Sequence, residues 1–486
     1  MTVPRPSNVI VWFRRDLRIA DNAALGAALE YARRTGGTLL PLFVLDSALV
    51  GPSGPNRLAF LYRCLRGLRS NGVPICVRAG DPVREVTEIA LATASAVVFA
   101  TADFAPYGSQ RDRAVERALR SPGCELQLVD SPYVVAPGEV RKGDGTPFKV
   151  FTPFSRAWRD HAVGRAASPT ADLDAVRWTD VAETAIPRDP AGTATDLLHA
   201  GEAHAHLRLG RFIADHLRTY DSKRNDPAAD ATSRLSADLK FGVLHPRQIL
   251  PLLDGHGRGA DVFRNELCWR EFYADVLWHH PASARAALNP QMESMRVDEG
   301  PVADAAFAAW CAGRTGYPFI DAGMRQLLRE GWMHNRVRMA AASFLVKDLH
   351  LDWRRGARWF MHHLVDGDLA SNQHGWQWTA GTGTDAAPYF RVFNPVLQGM
   401  KFDPDGVYVR RYVEELAHVP KRLIHEPWLA GNDALFPDSG DSGDSGDSAD
   451  TVDSAHSGSS TVYPHRLVDH GAERDEALRR YREIRP

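Results

Sequence analysis

Residues 8–18 read NVIVWFRRDLR, and the reading of this stretch decides the fold of the first third of the chain. Asn8–Phe13 is a short run of branched and aromatic side chains without polar alternation. Such a run marks a strand buried on both faces, which belongs in a parallel sheet. Thr38–Leu45, Val73–Val77, Ala96–Ala100 and Glu125–Val129 repeat it. Helical spacing fills the gaps. Between the first two runs, Asp21 is placed to cap a helix with Leu25, Ala28, Leu29 and Ala32 on one face. The alternation predicts an α/β, doubly wound parallel sheet over residues 1–130. Sheets of this kind bind ligands beyond the carboxyl ends of their strands. Arg14, Asp16, Asp46 and Asp103 fall there, in positions that caps and turns also favour.

Residues 131–200 are rich in Pro, Ala, Asp and Thr and read as an interdomain linker with short helices. From residue 201 to 430 the pattern is helical, as in Ala203–Tyr220, Phe263–His279, Tyr317–Glu330, His334–Asp348 and Trp353–Leu364, which predicts a larger all-α domain. Residues 431–462 hold a literal Ser-Gly-Asp repeat that cannot bury apolar surface and is expected to be disordered. Its Gly440-Asp441-Ser442-Gly443 looks like a serine-protease nucleophile segment, but the repeat alone accounts for it. A last helix is expected within 463–486.

The chain has 486 residues, enough for two or three domains with cores of their own. No run is apolar for the roughly 18 residues of a membrane span, and the first residues lack a signal-peptide pattern. Cys64, Cys76, Cys124, Cys268 and Cys311 are scattered and odd in number, which suits a reducing cytoplasm. The formal charge of −2 argues against a non-specific nucleic-acid coat. Six of the acidic residues, however, lie within residues 437–460 of the repeat-bearing insert. Without them, 54 acidic side chains face 58 basic ones, so the folded body is mildly basic. Eight of the twelve Trp fall between Trp269 and Trp378, so that region has a particular use for indoles.

Chemistry-bearing residues cluster in that helical half. Thr232-Ser233-Arg234-Leu235-Ser236 packs three hydroxyls and a guanidinium where a helix N-terminus could cradle phosphate, though a plain N-cap uses the same residues. Asp366-Gly367-Asp368, followed by Asn372, puts carboxylates and an amide near a helix end. Glu266, Trp269 and Arg270 share one helical face, which suggests a polar pocket. Trp376 and Trp378 cannot share a face, so one is expected to be buried and the other to line a surface. Glu202 with His204 and His206, and His362-His363 with Asp366, lack the geometry of a metal site, and no metal is assigned.

Together with Val11–Arg18, Gly331–Arg336 and Asp366–Pro388, these runs resemble the DNA photolyase/cryptochrome family, on the side of its class I cyclobutane pyrimidine dimer photolyases. The resemblance covers the chain apart from the insert. It implies a Rossmann-like antenna domain followed by an all-α domain that binds FAD and the DNA lesion. The activity implied is that of a carbon–carbon lyase. Light excites reduced FAD, which donates an electron to a cyclobutane dimer flipped out of DNA; the joining bonds break and the electron returns.

Further roles follow from the resemblance. Tyr220 and Thr232, Ser233, Arg234, Leu235 and Ser236 would hold the FAD phosphates. Arg270, Arg338, Asp366, Gly367 and Asp368 would line the cofactor, with Asn372 at the reactive flavin nitrogen. Trp269 and Trp378 would stack on the lesion, Glu266 would hydrogen-bond its edge, and Asn335 and Met339 would complete the pocket and favour cyclobutane dimers. Arg224, Arg336, Arg391, Gln398 and Lys401 would meet the DNA backbone. Trp376 and Trp353 match two members of a tryptophan electron chain. The third should fall near residues 297–301, where no Trp stands, so Trp310 or Tyr317 is a candidate substitute. Asp46, Arg57, Asp103 and Lys240 fit an 8-hydroxy-5-deazaflavin antenna better than the alternative, methenyltetrahydrofolate. The partner implied is ultraviolet-damaged DNA, bound by a cytoplasmic monomer. The alternative is a cryptochrome-type blue-light photoreceptor, against which Glu266, Trp269, Asn335, Met339 and Asn372 all match the repair pocket.

Overall fold

The computed structural model describes residues 7–384, 391–429 and 462–484. The first domain is built on strands β1 (Asn8–Phe13), β2 (Thr38–Asp46), β3 (Cys76–Gly80), β4 (Ser95–Ala100) and β5 (Glu125–Leu128), in the order β3-β2-β1-β4-β5. Every neighbouring pair is parallel. Helices α1 (Ala23–Thr35), α2 (Pro55–Ser70), α3 (Pro82–Ala92) and α4 (Pro106–Leu119) connect them. Val9, Val11 and Phe13 point to one core, and Ile10 and Trp12 to another on the opposite face. The unalternating sequence of β1 is thereby explained. The strand order reverses between β1 and β4, whose carboxyl ends present Arg14, Arg15, Asp16, Thr101 and Asp103.

Two local expectations need correction. The third strand is Cys76–Gly80 rather than Val73–Val77; Val73 and Ile75 are buried, but in a turn around Pro74. Asn22, not Asp21, caps α1, accepting from the Leu25 amide at 3.0 Å. Asp21 stands at φ 53° and turns its carboxylate to the Ser168 amide and Arg247.

The segment 131–200 carries more structure than its composition suggests. A short strand, β6 (Arg177–Trp178), pairs with the start of β2. Helix α5 (Phe151–Ala162) buries Phe154 and Trp158 in a small core with Val134, Val135, Cys268 and Phe272.

The helical domain opens with α6 (Glu202–Arg211). The helix expected to run from residue 203 to 220 gives way to a π turn at Phe212–His216 and a 3-10 turn at Leu217–Thr219. The break lets the helix Arg258–His279 approach closely, since a Cβ on Gly259 would meet the Leu217 carbonyl at 2.0 Å. The other labelled helices are α7 (Ser236–Phe241), α8 (Arg258–His279), α9 (Pro301–Cys311), α10 (Pro318–Glu330), α11 (Asn335–Ser343), α12 (Trp353–His363), α13 (Leu369–Ala380), α14 (Pro395–Phe402) and α15 (His470–Glu483). Glu202 accepts the Ile19 and Ala20 amides, a structural use of that carboxylate. The insert at 431–462 lies outside the described residues except for Val462.

The domains meet along the loop after β1. Gly242, at φ 64°, lies so close that a Cβ there would stand 1.8 Å from the Arg15 carbonyl. One continuous core runs from Val9, Val11 and Phe13 to Leu235, Phe241 and Phe263.

Candidate active site

Three helices frame the site, with α13 packed against both α8 and α11. The floor begins at Asp366. Arg338 donates to it at 2.8 Å and to the Met333 carbonyl at 2.7 Å. The second Asp366 oxygen is buried without a partner among the described residues, and so is the Thr232 hydroxyl. Unmet polar atoms of this kind are what a polar ligand satisfies. Thr232–Ser236 leads into α7, with Arg234 at φ 50°. Arg234 is drawn outward to Asp230 and Glu330 and lies 4.4 Å over the Trp332 ring. Tyr220 is buried against Phe212 and Phe263, which raises its hydroxyl pKa.

Asp368 caps α13, accepting from the Ser371 amide at 3.1 Å, and pairs with Arg15 of the sheet domain. One turn on, Asn372 donates to the Ala357 carbonyl and to Gln373. Asn372, Gly375 and Trp378 follow one half-exposed face of α13, while Trp376 on the other side is 3% exposed. Helical geometry required this separation of the two indoles.

On α8, Glu266 accepts from Arg224 at 2.6 Å. Burial holds its carboxyl above the ordinary range, against the opposing pull of Arg224. Trp269 is half-buried and lies against Phe151, with ring centroids 3.7 Å apart and planes 6° from parallel. Arg270 turns elsewhere: it donates to the Pro132 and Leu239 carbonyls and lies over Tyr133. It therefore ties segments together, while its charge still acts on Asp368 at the start of α13.

Asn335 opens α11 in an exposed position, and Met339 lies one turn further on. Arg336 donates to Asn225 at 2.8 Å and lies 4.6 Å over Phe402. Trp378 stands 6.4 Å from Phe393. Arg391 and Lys401 are exposed, and the Gln398 side-chain oxygen is buried without a partner among the described residues. Residues 385–390, which include the end of the Asp366–Pro388 run, lie outside the described residues.

Trp376 meets Phe360 at 5.0 Å and Trp310 at 6.2 Å between ring centroids. Trp353 is 5% exposed and lies over Arg354, beside a cavity of about 100 Å³ lined also by Met292, Met295 and Val297. Tyr317 packs instead on Phe344 and Trp428.

Asp103, Arg57 and Lys240 gather where the two domains face each other. Burial, with Arg15 next, pulls the Lys240 amine down to about 7, and burial brings Arg57 to about 10. Asp46 accepts from the Tyr107 hydroxyl at 2.7 Å. Sequence reasoning gave no site role to Arg15, Tyr133, Phe151 or Asn225. Phe151, Phe154 and Trp158 do follow helical spacing, a signal the linker composition concealed.

Two family models match the chain: "DNA photolyase" over residues 9–172 and "FAD binding domain of DNA photolyase" over residues 263–483. A deoxyribodipyrimidine photo-lyase of Agrobacterium fabrum is 37% identical, across 98% of both chains. A bacterial class III photolyase from Agrobacterium tumefaciens superposes with a TM-score of 0.87 at 35% identity, over 99% of this chain and 98% of that one. That neighbour is of class III, where the sequence motifs suggested class I. A Synechocystis cryptochrome gives 0.84 at 25% identity, over 99% of each chain. On this likeness along nearly its whole length, the chain belongs to the DNA photolyase family.

Proposed function

We propose that this chain is a deoxyribodipyrimidine photo-lyase, a DNA-repair flavoprotein that splits cyclobutane pyrimidine dimers with light. The observation that carries the reading is the meeting of α8, α11 and α13. These helices carry Glu266 and Trp269, Asn335 and Met339, and Asn372 and Trp378, which we read as lining one pocket.

FAD fits the floor of that pocket, because the Thr232 hydroxyl and one Asp366 oxygen are buried polar atoms awaiting a partner. Tyr220, Thr232–Ser236, Arg338, Asp366, Gly367, Asp368 and Asn372 would hold it. Bound and reduced, it supplies the photoexcited electron that the reaction needs. The protein's share is recognition and electrostatics. Trp269 and Trp378 offer ring faces to a flipped dimer. Glu266, whose carboxyl burial raises against the pull of Arg224, can hydrogen-bond the pyrimidine edge and stabilise charge that develops there. Arg224, Arg336, Arg391 and Lys401 form a cationic rim for phosphates.

The interdomain group of Asp103, Arg57 and Lys240 supports an antenna site, with 8-hydroxy-5-deazaflavin favoured over methenyltetrahydrofolate. Five free, buried cysteines support a cytoplasmic setting, and we take the working form as a monomer. Among the described residues, no helix is long and apolar enough to cross a membrane.

The test is direct. Purified protein, reductant and near-ultraviolet or blue light should restore an oligothymidylate that contains dimers. Absence of light-dependent repair overturns the enzyme reading and favours the photoreceptor that the Synechocystis likeness keeps in view. Chromatography of the released chromophores identifies the flavin and the antenna.

A further inference from the structure

Helix α5 lies in the segment whose composition reads as a linker, yet it is fastened to α8 at several points. The Trp158 indole donates to Glu271 at 2.6 Å, and the same buried carboxylate accepts the Val134 and Val135 amides. Arg159 donates to the Asn265 side chain at 2.9 Å. Phe154 packs on Phe272 with ring centroids 5.1 Å apart. The first residue of this anchored helix is Phe151. Its ring lies parallel to the Trp269 indole at 3.7 Å, which leaves little lateral offset. Aromatic pairs left to themselves prefer larger offsets or edge-to-face contact. The register of α5 on α8 therefore sets this stack, rather than the preference of the two rings.

The consequence concerns the other face of Trp269. An indole has two stacking faces, and Phe151 closes one of them. Tyr273, tilted by 44° at 5.3 Å, limits rotation from the side and is itself stacked on His374. We propose that Phe151 is a positioning residue for lesion recognition: it fixes the plane of Trp269 so that the remaining face meets a flipped pyrimidine. The proposal rests on Trp269 being a lesion contact. Phe151 is a fixed backing and not a placeholder that swings aside, because its helix is held by Trp158, Phe154 and Arg159.

The two roles predict opposite signs in the dark, on full-length protein carrying FAD. Phe151→Ala should bind duplex with a single thymine dimer about two- to ten-fold more weakly than the parent, the range expected for one aromatic pair. Affinity for the undamaged duplex and FAD content should hold. Phe151→Tyr should restore binding, and Phe151→Leu, which keeps bulk without a ring, should not. In a Trp269→Ala background the Phe151→Ala change should have no further effect, because its action passes through the indole. Unchanged or tighter lesion binding by Phe151→Ala overturns the proposal. So does equal weakening toward damaged and undamaged DNA. Should Trp269→Ala itself bind lesions like the parent, the lesion-contact reading falls and this inference with it. Should only Phe151→Ala behave like the parent, the lesion-contact reading stands and this inference alone falls.

Discussion

Arg15, two residues beyond the end of β1, donates to Asp368, the N-cap of α13, over 2.7 Å, and so ties the sheet domain to the helix that carries Asn372 and Trp378. Burial alone would raise the Asp368 carboxyl. Arg15, followed by Lys240 and Arg270, holds it well below the usual carboxylate range instead. Asp368 thus faces three cations at the domain boundary, with Asp103 also acting on Arg15 and Lys240. Asp368→Asn should leave those cations facing each other and lower stability by about 2–3 kcal/mol. This is less than the roughly 3–5 kcal/mol of a fully buried pair, because the Arg15 side chain keeps 20% exposure. Urea unfolding followed by circular dichroism checks this, with Arg15→Ala expected to fall in the same direction.

The pair shows which features were legible in sequence. Asp368 stood out because Asp366, Gly367 and Asn372 lie beside it. Arg15 also stood in a conspicuous run, but its partner is 353 residues away and no local pattern points to it. The same division holds through the fold. The unalternating apolar runs of β1 and β2 were readable because both sheet faces are covered. The third strand is displaced because β3 stands at the end of the strand order, beside β2, and its Arg78 and Gly80 break the apolar pattern. Spacing placed Glu266 and Trp269 on one face correctly. It could not show that the long Arg270 side chain reaches back to Pro132 and Leu239, since that depends on where distant backbone passes.

Trp269 and Glu266 should separate into binding and chemistry. Neither belongs to the Thr232–Ser236 loop or the Arg338–Asp366 pair, so both Trp269→Ala and Glu266→Ala should retain FAD. Loss of the indole removes one stacking surface, a cost of about 1–3 kcal/mol per base, and lesion affinity should fall roughly five- to hundred-fold. Loss of the carboxylate frees Arg224, so lesion binding should change less. Repair per bound lesion should drop about ten- to hundred-fold, as for a lost hydrogen bond to a charged group. Dark binding and single-turnover repair on the same preparations distinguish the two losses.

The aromatic contacts of Trp376 lead to Trp310, which is fully buried, and onward through Phe307 at 5.9 Å to Trp359 at 6.4 Å. Trp310→Phe should therefore slow the light-driven reduction of protein-bound oxidised flavin. Tyr317→Phe should not, since that hydroxyl is committed to the Val468 carbonyl and its ring lies among Phe344 and Trp428. Bleaching of the flavin absorption under blue light measures the rate. Both variants should repair dimers at the parental rate once reduced chemically. Equal bleaching by Trp310→Phe and the parent would rule out this route.

His334 caps α11 through Nδ1, which accepts the Arg336 amide at 3.2 Å and must therefore be unprotonated. Burial first, then Arg336, Arg338 and Arg234, brings its pKa down to about 3. In the unfolded chain an ordinary histidine takes up its proton near pH 6.5. Below that pH the unfolded state binds a proton that the folded state refuses. The contribution of His334 is thus complete above about pH 6.5 and is lost progressively as the pH falls toward about 3. His334→Asn keeps a side-chain acceptor at the cap but removes the titration. Its melting temperature should decline less steeply than the parent's between pH 6.5 and 4, so that the difference between the two proteins shifts toward the variant in acid. His334→Ala, which lacks the acceptor as well, should lose about 1 kcal/mol at neutral pH while showing the same shallower acid limb. Parallel acid limbs in parent and His334→Asn would assign the acid sensitivity to other groups.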